Sequence, residues 1–101
     1  MKTKRVILPE NVIVTLKYGG GKMLITATKV LIGKYKDDQG KEQRGWTAVL
    51  SMRVKDQQEP QKSFPVSIGQ SVQYKKVTIH ILDIERSRNG MYVDAVLDTE
   101  G

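Results

Sequence analysis

The chain has 101 residues, 39% of them hydrophobic, which sets the scale of one domain and excludes disorder throughout. It has no cysteine, which excludes a disulfide framework, thiolate metal sites and cysteine nucleophiles together and leaves the redox compartment open. Its formal charge of +6 and pI near 9.7 direct attention to anionic partners, although lysines also keep a small β-protein soluble and blunt its edge strands.

Residues 1–10 read as a lead-in. Val6-Ile7-Leu8 forms a short edge strand that stops at Pro9, since proline cannot donate to a ladder. This apolar stretch is too short for the core of a signal peptide. No run approaches the roughly 18 apolar residues of a membrane span. The expected location is cytoplasmic, and a mature exported domain with an added Met1 would look the same. The 12–18 segment alternates cleanly, with Val12, Val14, Leu16 and Tyr18 on one face, and Gly19-Gly20-Gly21 makes the turn that follows. The strand from Lys22 to Tyr35 carries Met23, Ile25 and Ala27 on one face, then Val30 and Ile32 on the other. That slip near Lys29 predicts a bulge or a passage between two layers.

Residues 36–45 read as a polar loop. Trp46, Ala48, Leu50, Met52 and Val54 then alternate without a fault, the clearest period-two run in the chain. Residues 56–63 form a second loop broken by Pro60. Phe64, Val66 and Ile68 alternate again, with Pro65 marking an edge or bulge. A long strand runs from Val72, with a second slip of phase between Ile81 and Leu82. Asn89-Gly90 turns it into a hairpin with Met91–Leu97. A two-residue Asn89-Gly90 loop would set Glu85 opposite Asp94, a like-charge pair for Arg86 and Arg88 to neutralise. The expectation is one all-β domain over residues 1–101. It has about six antiparallel strands and little or no helix, closed as a small barrel or packed as a two-sheet sandwich.

Several stretches invite a chemical reading. Gly19-Gly20-Gly21-Lys22 lacks the spacing of a phosphate loop and has no helix behind it. His80 is the only histidine. Its nearest acid, Asp83, falls on the opposite face of a regular strand, so no triad or metal site is announced. Asp83, Glu85 and Asp94 read as a solvated edge balanced by arginine. No cofactor is implied. The pattern with most content is aromatic–basic adjacency: Lys17-Tyr18, Lys34-Tyr35-Lys36, Arg44-Gly45-Trp46 and Tyr74-Lys75-Lys76. Rings that stack on bases beside lysines that follow phosphates are the chemistry of single-strand binders. Against it, Tyr18 and Trp46 are in phase with core residues.

Two functions follow. The first is a non-enzymatic module that recognises another protein, of inhibitor, immunity or accessory type, through polar loops on a rigid scaffold. The second is nucleic-acid binding through Lys17, Tyr18, Lys34, Tyr35, Lys36, Arg44, Tyr74, Lys75 and Lys76.

Overall fold

A computed structural model of the chain describes residues 2–18, 21–55 and 58–99, with Lys2 and Tyr18 described by their backbone alone. Among these residues there are eight strands and no helix. In chain order they are β1 (Lys2–Pro9), β2 (Ile13–Tyr18), β3 (Gly21–Lys36), β4 (Glu42–Val54), β5 (Lys62–Ser67), β6 (Ser71–Tyr74), β7 (Val77–Ser87) and β8 (Gly90–Thr99). They form two antiparallel four-stranded sheets, ordered β1-β8-β7-β6 and β2-β3-β4-β5. The sheets do not close into a barrel. They make a sandwich, because each strand has one apolar face and a single open sheet would leave that face wet.

The core is the sum of the inward faces. One sheet supplies Val6, Leu8, Ile79, Ile81, Ile84, Val93 and Ala95; the other supplies Met23, Ile25, Ala27, Ala48, Leu50 and Met52. Trp46 and Phe64 are half-buried and pack against its rim. The chain crosses between sheets at Glu10–Val12. There the Glu10 N–H donates to Met91 O (2.9 Å), the Asn11 N–H donates to Ala27 O (2.8 Å), and Asn11 takes a left-handed φ of 64°.

Both slips of apolar phase are bulges. The β3–β4 register breaks between Thr28 and Leu31, with Lys29 at φ 52°, and the β7–β8 register breaks between Ile81 and Asp83. The β7 bulge returns Ile84 to the core, whereas beyond the β3 bulge Leu31 and Ile32 stand in solvent.

Four expectations need correction. The lead-in is a complete edge strand, β1, paired with β8 from Lys2 to Pro9. The strand from Val72 is two strands, because Lys75 adopts φ 54° and turns the chain at Lys75-Lys76. The 36–45 and 56–63 loops are shorter than their composition suggests. Polar residues at 42–45 and 62–63 still pair in β4 and β5, since exposed strand positions need not be apolar. The main hairpin has another register: Ser87 pairs with Gly90, and Asp94 faces Asp83, not Glu85. That pairing puts Arg88 and Asn89 at the centre of the turn, and Gly90 at its exit takes a positive φ of 117°. Residues Gly19 and Gly20 of the expected glycine turn lie outside the described residues; β2 and β3 pair up to Tyr18 and Gly21 on either side of it.

Candidate binding surfaces

Three places on the surface gather side chains with chemistry, and the aromatic–basic residues are divided between two of them. Their positions along the strands send them to opposite ends, and alternation then separates neighbours between faces. Neighbours in a strand point to opposite faces, so Lys34 and Lys36 share one face while Tyr35 lies on the other.

The first place is an arm. β3 pairs with β2 only to Thr26 and β4 meets β5 only from Thr47, so Leu31–Lys36 and Glu42–Trp46 pair with each other alone among the described strands. On one face the register places Ile32 and Lys34 opposite Trp46 and Arg44, with Lys36 opposite Glu42. Lys34 Nζ lies 3.4 Å from Glu42 Oε1. On the other face Leu31 lies over Gly33, where a Cβ would come 3.2 Å from Leu31 Cδ1. Leu31 and Ile32 are 51% and 54% exposed. The tip is held by Asp37. Its carboxylate accepts the N–H groups of Gln39 and Lys41 (2.9 Å each) and the Gln43 amide (3.1 Å). The bond from Lys41, then that from Gln43, lowers its pKa below the ordinary carboxylate value.

The second place is the opposite end of the sandwich. The start of β1, the end of β8 and the β6–β7 turn come to this end from one sheet. The end of β2, the start of β3 and the β4–β5 connection come from the other. Two observations tie the sheets together here. Lys75 Nζ pairs with Glu59 across them at 2.5 Å, and one groove of about 620 Å³ is lined by Thr3 and Lys4 from one sheet and Thr15 and Lys17 from the other. A second groove, about 390 Å³, opens along the β5–β6 seam between Lys62 and Lys75. Lys17, Lys75 and Lys76 are thus brought to one end, far from Lys34, Lys36 and Arg44 on the arm. Tyr74 is not displayed there. It is 5% exposed, its ring lies edge-on to Phe64 at 6.3 Å, and Lys75 Nζ lies 5.7 Å from the ring centroid. The side chain of Tyr18 lies outside the described residues.

The third place is the outer face of the β1-β8-β7-β6 sheet. His80 pairs with Ser71 on β6 and with Val96 on β8. Its Nδ1 is 2.7 Å from Ser71 Oγ and its Nε2 is 2.7 Å from Asp98 Oδ2. A neutral ring meets both by giving its Nε2–H to Asp98 and accepting the Ser71 hydroxyl at Nδ1. Sequence separation hid these partners, 9 and 18 residues away, which only strand pairing makes neighbours. Asp83 does not reach His80: it accepts the Ile84 N–H at 2.9 Å. None of Ser71, His80 and Asp98 lines either groove, and their backbones are engaged in the strand ladders. The arrangement orders three polar side chains on an open face.

On the same face Asp94 is bound by Arg5, with Arg5 Nε to Oδ1 at 3.0 Å and Nη2 to Oδ2 at 2.5 Å. The bond from Arg5 holds the Asp94 carboxyl below its ordinary value against the opposing effect of burial. Arg5, from the edge strand, therefore neutralises Asp94, which faces Asp83 in place of the expected Glu85, a role expected of Arg86 and Arg88. Tyr92 gives its hydroxyl to Glu85, which raises the tyrosine pKa. Among the described residues no group of three or more His, Asp or Glu is placed to hold a metal ion, and no helix is long and apolar enough to cross a membrane.

The chain matches no family model, no curated protein and no solved structure. Its surfaces therefore have to be read from their own chemistry.

Proposed function

We propose that the protein is a non-enzymatic binding module that recognises another protein through the β3–β4 arm. The observation that carries this reading is the exposure of Leu31 and Ile32 on a two-stranded projection with open edges. A large aliphatic side chain at a strand position gains about 1.5–3 kcal/mol when buried, so one in water on each face of the arm gives a partner that closes around it an apolar contact on either side. Lys34, Lys36 and Arg44 beside Ile32 add a polar rim and guard the edges against self-pairing. The open edges offer main-chain groups to a partner strand, and the asparagine- and glycine-free stretch Leu31-Ile32 gives such a strand two side chains to grip.

The test is affinity capture from the source organism with quantitative comparison of variants. Leu31→Ser with Ile32→Ser removes surface apolar groups and leaves the core intact. The expected result is a partner retained by the parent protein and reduced at least tenfold by the double variant. Lys36→Glu with Arg44→Glu should reduce it too. A captured set that is identical for parent and variants would sink the proposal.

A further inference from the structure

The outer face of the β2-β3-β4-β5 sheet carries an arrangement that the arm does not explain. Lys17 pairs directly with Lys22, and the Lys55 N–H donates to Lys22 O (2.8 Å), which extends the β3–β4 ladder by one residue. Three lysines therefore stand in one row across three adjacent strands. They share a face, because the residues next to them, Leu16, Met23 and Val54, point into the core. Arg53 stands one row behind Lys55 on the same face, two residues along β4. All four are exposed, and none makes an ion pair with a described acid.

Side chains directly opposite across strands have Cβ atoms only about 4.5–5.5 Å apart, and like charges there destabilise a sheet. A row of three such charges is a cost to the fold that a bound anion would offset. The rest of the face suits phosphate. Its described positions include the hydroxyls of Thr15, Thr26, Ser51 and Ser63, beside Leu24 and Val49, and no acidic residue. Hydroxyl and lysine donors without base-reading groups are what phosphate contacts use.

We propose that this face binds nucleic acid through its phosphate backbone, with Lys17, Lys22, Arg53 and Lys55 as the contacts. The surface favours nucleic acid over an anionic membrane. The large exposed apolar side chains on this face, Ile13 and Leu31, stand two or more rows from the lysine row. Leu24, which pairs with Arg53 between them, is half-buried, so the lysines have no fully exposed apolar neighbour to insert. No described aromatic ring stands on the lysine end of the face to stack on bases. Binding is therefore without base preference. This site is separate from the arm and stands or falls independently of the partner proposed there.

Fluorescence anisotropy with labelled 20-nucleotide single strands and duplexes, at 50 and 200 mM salt, tests it. Three to four phosphate contacts predict that affinity falls about 20- to 150-fold between those salts. Lys22→Glu with Lys55→Glu should remove most binding at 50 mM. The same substitutions make the 17–22 contact one of opposite charges and exchange the lysine pair at 22 and 55 for a carboxylate pair. The row then has fewer like-charge contacts than before, so the variant should melt no lower than the parent, which separates lost binding from lost fold. Lys34→Glu with Lys36→Glu, on the arm, should leave binding unchanged. The proposal is overturned by no binding to either oligonucleotide at 50 mM or by equal binding of the Lys22/Lys55 variant. It is equally overturned by loss confined to the arm variant, or by binding only to vesicles containing phosphatidylserine.

Discussion

Asp94 shows how one carboxylate on a strand can couple the edge of a sheet to its centre. It is 7% exposed, faces Asp83 across β7–β8, and is bonded at both oxygens by Arg5 on β1. Its folded pKa lies below the unfolded one, so ionised Asp94 contributes stability above the ordinary carboxylate range. That contribution is lost as pH falls through the depressed folded value. Asp37, also lowered, acts with the same sign at the arm's tip. Asp94→Asn should therefore lower stability at pH 7 and flatten its decline below about pH 4, measured by urea unfolding across pH 2 to 7. An unchanged acid slope would mean that the Arg5 bond is not the source of the shift. None of this was visible in the local sequence, where Arg86 and Arg88 are the nearest cations. The pair joins residues 89 positions apart.

At the level of the element, the β3 bulge explains how a 16-residue strand serves two purposes. Before it, Met23, Ile25 and Ala27 fill the core; after it, Leu31 and Ile32 stand in solvent on the arm. The bulge leaves the Val30 N–H outside the ladder, and Glu10 Oε2 accepts it at 3.0 Å from the crossover between sheets. Glu10→Ala should cost about 1–2 kcal/mol in urea unfolding, because it strands a part-buried donor, whereas Glu10→Gln, which keeps an acceptor oxygen, should cost less. Equal losses for both would show that the acceptor is not what matters. The apolar pattern showed the slip near Lys29 plainly. What it could not show was the acceptor, because Glu10 reaches Val30 only once the two sheets are stacked.

For the whole molecule, the decisive feature is that the enclosed core and the displayed arm are separate parts of the same two sheets. The core is shared by both sheets, and Leu50 is fully enclosed between them. Leu50→Ala should cost about 2–5 kcal/mol, a large part of the roughly 5–15 kcal/mol available to a domain of this size. Leu31→Ser should change stability by no more than about 0.5 kcal/mol, since it touches only the arm. If denaturant midpoints for the two were alike, the division into a structural core and a displayed arm would be wrong. The 72–97 region, which reads as a simple hairpin, has a narrower part in this: β7 and β8 are the centre of one sheet, flanked by β1 and β6.

The residues by themselves determined that the chain is all-β, which positions face inward along 22–28 and 46–54 and at Val14 and Leu16, and where both bulges fall. These follow from period-two patterning, which is local and survives without knowledge of partners. Val12, expected on the same face as Val14 and Leu16, is exposed ahead of β2. The tertiary structure decided the rest: sandwich over barrel, eight strands over six, the register of the 77–99 hairpin, and the partners of His80 and Asp94. It also divided the aromatic–basic set, burying Tyr74, leaving Lys34, Lys36 and Arg44 on the arm, and aligning Lys17 with Lys22 and Lys55. Adjacency in a strand separates side chains to opposite faces, while pairing between strands unites residues that are distant in sequence. A surface is made by the second rule, so it can be read only after the strands are paired.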